Sequence, residues 1–171
     1  GETGLDYFRS QGDLTWQHNR FREHIQAAKA CDKPLIIHTR ESTADTLKIL
    51  AEERANEVGG VMHCFAEDWA TAKRALDIGF YISFSGILTF KNAQDMRDVA
   101  KKVPLDLVLV ETDSPYLAPV PMRGKTNEPA FTRYVADVLA EVKGISKEEI
   151  ALATTTNFFN LFQAAQRTEA A

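Results

Sequence analysis

Apolar residues in this chain fall into two rhythms that alternate along its length. Short, largely apolar runs stand at residues 34–37, 61–62, 80–84 and 107–110. Such runs read as strands buried on both faces. Residues 1–8, GETGLDYF, have no amphipathic period and read as the end of a strand turning into a loop. Between the runs, apolar residues recur at helical spacing. Phe21, Ile25 and Ala28 predict a helix over 13–31. Leu47, Leu50 and Ala51 predict another, opened by Ser42 and Asp45 as a capping-box-like pair. Ala72, Ala75 and Leu76 mark a helix over about 68–78 that ends at Gly79. Met96, Val99 and Ala100 mark one over 92–102, halted by Pro104, and Tyr134, Val135, Val138, Leu139 and Val142 one over 131–142. Ser146 and Glu149 cap a short helix; Phe158, Leu161 and Phe162 face inward from a last one over 157–166. The Ala-rich tail is expected to fray. Residues 118–131 hold three prolines, a glycine and Asn127, and predict an ordered loop without regular structure. The repeated order of strand, polar residue and helix is the signature of parallel βα units, hence an α/β fold.

The residues at the strand ends carry the candidate chemistry. They are Glu2, His38, His63 and Asp113, with Ser85 as a fifth, non-chemical strand end. Taken singly, each has a bland reading: an exposed terminal acid, a structural histidine, an Asp that opens the turn before Pro115. In a parallel βα array, however, the C-terminal strand ends share one rim. Imidazole plus carboxylate is the donor set of a divalent metal, and borderline to hard ions (Zn, Mn, Mg) suit it best. His63 and Cys64 are adjacent, and neighbours on a strand point to opposite faces, so Cys64 reads as packing. His18 and His24 sit on the first helix and read as surface or edge residues. Asp113 is the best candidate for a base beside a metal-activated water. Arg40, Arg123 and Lys125 are candidate phosphate-binding residues.

Bulk properties narrow the field. A chain of 171 residues is long enough for one domain with a real core. Its net charge of −4 gives no global basic footprint, so a nucleic-acid partner needs local cations or metal ions. Two cysteines without framework spacing point to a reducing compartment, and a cytoplasmic location is expected. No apolar run approaches a bilayer-spanning length, so no membrane partner is expected. The chain opens on Gly1-Glu2-Thr3-Gly4 rather than Met, which reads as the middle of something.

GETGLDYF, PLIIHTR, GGVMHCF, FYISFSG and LVLVETDSPYLAPVPMRGKTNEPA together resemble the TatD family of metal-dependent deoxyribonucleases, in particular its YcfH-type bacterial members. The resemblance runs from residue 1 to about 163. It implies an amidohydrolase-like (β/α)8 TIM barrel binding one or two divalent ions (Mg, Mn or Zn). It also implies hydrolysis of DNA, with Glu2, His38, His63 and Asp113 as metal ligands, Asp113 serving also as the catalytic base and Glu2 as the catalytic carboxylate that bridges or ligates the metals. Some relatives of this kind act on other substrates, so a metal-dependent ester or amide hydrolase, such as a D-aminoacyl-tRNA deacylase, stays open. So does a non-catalytic assembly module. The family's opening His-x-His pair does not occur in this sequence. Five strands cannot close an eight-stranded barrel. The expectation is a C-terminal part of such a barrel, a single domain of about five βα units. Alone it would have little or no nuclease activity, and it would remain an open sheet or self-associate through its exposed edges.

Overall fold

A computed structural model describes residues 2–166. The expected fraying of the tail falls partly beyond residue 166, outside the described residues. The chain divides into two compact units between Ile82 and Ser83.

The first unit alternates strand and helix. Its elements are β1 (Thr3–Asp6), α1 (Thr15–Cys31), β2 (Leu35–Arg40), α2 (Thr43–Glu52), β3 (Gly60–Met62) and α3 (Trp69–Asp77). They lead into β4 (Phe80–Phe84), which carries the division within it. The strands pair in parallel, with Gly4 opposite His38, Ile37 opposite Met62, and Met62 opposite Ile82. Leu5, Ile37, Met62 and Ile82 are buried, as the largely apolar runs require. α1 packs against β1, and its Phe21 and Ile25 are fully buried, each contributing about 2 kcal/mol of apolar transfer.

Gly4 sets how closely β1 meets β2. Its φ is +149°, and a Cβ there would stand 1.9 Å from the carbonyl oxygen of His38. Only glycine permits this approach.

Several expectations are corrected here. β2 runs on through His38, Thr39 and Arg40, so His38 lies inside the strand rather than after it. Ser42 is at the N-cap of α2 but makes no capping bond. Its hydroxyl is turned to Leu5, whose carbonyl it meets at 2.8 Å, while Asp45 accepts from the Tyr7 hydroxyl at 2.7 Å. Tertiary partners have taken both members of the apparent capping box. Ala51 is exposed, leaving Thr46, Leu47, Ile49 and Leu50 as the buried face.

In the second unit follow α4 (Gln94–Lys102), β5 (Val108–Val110), α5 (Thr132–Lys143) and α6 (Lys147–Leu161). The Glu111 N–H donates to the Phe84 carbonyl at 3.0 Å, tying the end of β5 to the end of β4. The sheet order is β1-β2-β3-β4-β5, an open five-stranded array rather than a closed barrel. The short helix and the last helix expected after residue 145 are one helix, α6. Its capping box forms as read: the Ser146 hydroxyl accepts from the Glu149 N–H at 3.1 Å, and Glu149 Oε2 accepts from the Ser146 N–H at 2.9 Å. The inward face is also corrected. Phe158 is 42% exposed, whereas Asn157 is buried and donates to the carbonyls of Leu105 and Val108 at 2.9 and 2.8 Å. Those two carbonyls lie just before and at the start of β5. Among the described residues no helix is long and apolar enough to cross a membrane.

Candidate metal centre

The first unit gathers two imidazoles and two carboxylates. The sequence alternation of Glu2, Gly4 and Asp6 puts both acids on one face of an extended segment, with glycine between them. The strand register sets His38 opposite Gly4. Its ring therefore has an acid on each side. Glu2 Oε2 lies 3.6 Å from His38 Nδ1, and Asp6 Oδ2 lies 3.1 Å from His38 Nε2. His63 comes from the neighbouring strand, anchored by its N–H on the Ile37 carbonyl at 3.0 Å. Its Nε2 lies 3.1 Å from the same Glu2 oxygen. One carboxylate oxygen thus stands against two imidazole nitrogens.

Asp6 is fixed from several directions. Burial raises its carboxyl pKa, but hydrogen bonds from the Arg9 N–H and the His38 ring, with the charges of His38 and Arg9, outweigh that and hold it below the usual range. It is the charged form that faces His38. Behind it, the buried Gln17 side chain bonds the Asp6 backbone both ways, at 2.8 and 3.0 Å. Tyr7, next along, bonds Asp45 and sits 2.6 Å from His18 Nε2. Burial first, then Asp45, pushes the Tyr7 hydroxyl up to about 12. His18 thus serves that network. His24 lies on the exposed face of α1 with Nδ1 2.6 Å from the Thr3 hydroxyl.

In the second unit, Glu111 and Asp113 leave the end of β5 on an unusual backbone. Asp113 has φ +58°, a left-handed conformation that Asp tolerates better than most residues. The loop around it is clamped by Asn127, which is buried. Its Nδ2 donates to the carbonyls of Thr112 and Tyr116 at 2.7 and 2.6 Å, and its N–H donates to that of Pro115 at 3.0 Å. The Asn read in the 118–131 loop therefore holds the segment that carries Asp113.

The structure brings Glu2, His38 and His63 together, and it places Asp113 in the second unit beside Glu111 in sequence. Glu2 precedes β1 rather than ending a strand, and its side chain reaches across to the histidines. Cys64 follows the end of β3 with φ +45°, so strand alternation does not govern its direction. Arg40 is exposed, its guanidinium 4.3 Å above the Phe8 ring. Arg123 lies 4.1 Å over Phe90 and donates to the Ala118 carbonyl at 3.4 Å, and Lys125 is exposed. Asp6 was not singled out from the sequence. The signal for it was there, in its four-residue spacing from Glu2.

A model of the family described as TatD-related DNase matches residues 1–163. The metal-dependent hydrolase YcfH of Escherichia coli K12 is 57% identical over 162 residues, covering 95% of this chain and 61% of that protein. A metal-dependent hydrolase of Buchnera aphidicola from Baizongia pistaciae is 50% identical over 162 residues, with the same coverage of 95% and 61%. Both names describe the protein as uncharacterized beyond that class. Among solved structures, the TatD homolog YJJV of Escherichia coli K12 superposes with a TM-score of 0.89 at 32% identity. That match covers 95% of this chain and 62% of YJJV. The chain thus spans about three-fifths of the length of the relatives it matches.

Proposed function

We propose, since the chain belongs to the TatD-related DNase family, that it carries metal ligands and the catalytic base of a divalent-metal-dependent hydrolase that cleaves DNA phosphodiester bonds. The observation that carries the reading is the Glu2 oxygen set against two histidine nitrogens. Ligand atoms held about 2.1 Å from a shared ion sit about 3.0–3.4 Å from each other. The Glu2–His63 contact, at 3.1 Å, has that spacing, and the Glu2–His38 contact, at 3.6 Å, is slightly longer. Asp6 behind His38 adds the carboxylate–imidazole pairing that fixes a ligand's tautomer: with the proton on Nε2 toward Asp6, Nδ1 presents its lone pair. The donor set of Glu2, His38, His63 and Asp113 is all nitrogen and oxygen, which favours Mg, Mn or Zn over soft ions.

When bound, such an ion supplies Lewis acidity to a phosphoryl oxygen and acidifies water. The chain's residues do the rest. His38 and His63 would hold such an ion through their ring nitrogens. Asp113 takes the proton of the attacking water. Its clamped, left-handed backbone keeps the carboxylate in place, which is where stored strain serves a site. Arg40, Arg123 and Lys125 hold phosphates by charge.

The test is a turnover assay with Mg, Mn or Zn on a 5′-labelled DNA oligonucleotide and, in parallel, an ester panel. DNA cleavage that Asp113→Ala abolishes supports the reading. Ester turnover without DNA cleavage favours an acyl hydrolase. Background rates with metal demonstrably bound assign this chain a binding role alone, in line with the missing His-x-His pair.

A further inference from the structure

A cleft of about 410 Å³ opens beside the histidine-carboxylate cluster, wholly within the first unit. Glu2, Asp6 and His38 line it, and so do Arg9, Trp16 and Arg20. None of the last three is a candidate metal ligand, although the Arg9 N–H donates to Asp6 at 2.8 Å. Trp16 is 49% exposed, although a large aromatic of this kind is normally covered. The Arg20 guanidinium lies 4.7 Å from the centroid of its ring. Among the described residues neither Arg9 nor Arg20 forms an ion pair, whereas Arg22, on the same helix, is held by Glu52 and Glu53. Two guanidinium groups, neither in a direct salt bridge, and an exposed indole thus share one opening with the cluster.

We propose that this cleft is a nucleotide subsite, in which the stacked Trp16 and Arg20 receive an unpaired base and Arg9 receives the adjoining phosphate. This rests on the reading of the cluster as a DNA-cleaving centre. The chemistry follows from the parts. A guanidinium layered on an indole extends a flat, electron-rich and cationic surface onto which a third planar group adds. A base stacks on it without regard to sequence, and it must be out of a duplex to do so. The guanidinium of Arg9 suits a phosphate oxygen, and the cleft volume is that of a small-molecule site. Glu2 and Asp6 repel bare anions, so the two arginines supply the positive charge that admits a phosphodiester next to them when no metal is present. The overall charge of −4 makes that local supply necessary.

The experiment is fluorescence anisotropy of 5′-fluorescein dT6 with the full chain in EDTA, where no cleavage is possible. A second dT6, with one internal abasic residue, measures the base contribution. Trp16→Ala and Arg20→Gln are each expected to weaken dT6 binding about tenfold and to erase its advantage over the abasic strand. Arg9→Gln is expected to weaken both strands alike. Lys33→Gln, which removes the same charge from an exposed site elsewhere, is expected to change neither. Far-ultraviolet circular dichroism confirms that each variant is folded, and Trp16→Phe, which keeps a stacking ring, should restore most of the affinity. Folded Trp16→Ala and Arg20→Gln variants that bind both strands as the parent does would overturn the subsite. That result leaves the hydrolase reading standing if DNA is still cleaved with metal. Conversely, base-dependent binding lost in the variants supports the subsite even where no metal gives turnover.

Discussion

Gly4→Ala is the sharpest single perturbation of the first unit. The added Cβ would lie 1.9 Å from the His38 carbonyl oxygen, against the 3.0 Å below which real contacts essentially never fall. The obstacle is backbone, so no side chain can swing away. β1 and β2 must part by about 1 Å, which takes ladder bonds of normal length past the useful range. One or two lost ladder bonds at about 1 kcal/mol each, overpacking of about 1–3 kcal/mol, and an alanine at positive φ at about 1 kcal/mol together cost about 3–6 kcal/mol. With an m-value of about 2–3 kcal/mol/M, the urea midpoint should fall by more than about 1 M. Both tryptophans, Trp16 and Trp69, lie in the first unit, so tryptophan fluorescence reports its unfolding selectively. The same displacement moves Glu2 away from His38, so metal affinity should drop as well. A midpoint lowered by less than about 0.3 M would show that the strands are not locked at this approach, and that the acid-histidine geometry is not set by it.

Further outcomes are expected. Asp6→Asn keeps the shape beside His38 but removes the charge. Divalent affinity by isothermal titration should fall about 10–100-fold, and an unchanged constant would deny Asp6 its orienting role. Since the Asp6 pKa is lowered on folding, its stabilising contribution is present above its unfolded value and disappears as pH falls through the folded one. The acid limb of an unfolding profile should therefore flatten in Asp6→Asn. Tyr7 behaves oppositely. Its hydroxyl is raised to about 12, so the stability it confers is complete below about pH 10 and is lost as pH climbs through 12. Ultraviolet titration should show a late phenol that is absent in Tyr7→Phe. Asn127→Leu leaves the carbonyls of Thr112 and Tyr116 without their donor, at a cost of about 2–3 kcal/mol, and hydrogen exchange across 112–117 should speed up.

Much of this was legible in the chain itself. Residues 80–84 form β4 as read, because a run buried on both sides has one solution at that length. The Ser146–Glu149 cap is local and forms as local chemistry dictates. The Ser42–Asp45 pair failed as a capping box because Leu5 and Tyr7, nearly forty residues earlier, offered buried partners that no local rule can see. His38 proved to be inside a strand because β1 pairs with β2 as far as Arg40 and extends it. Family resemblance supplied Glu2, yet its reach to His63 depends on the register that Gly4 enforces. Asp6 was hidden by the same fact. Its role exists only once Gly4 is opposite His38.

In the proposed hydrolase, Glu2, His38 and His63 form a divalent-ion cradle. Long-range 1H–15N spectra of the imidazoles during a zinc titration test it most directly, since the chain has four histidines. The Nδ1 signal of His38 and the Nε2 signal of His63 should move together at one ion per chain, with His18 and His24 unchanged. Glu2→Gln should shift the titration to higher zinc. Silent His38 and His63 resonances at saturating zinc, or a response from His18 or His24 instead, would contradict it.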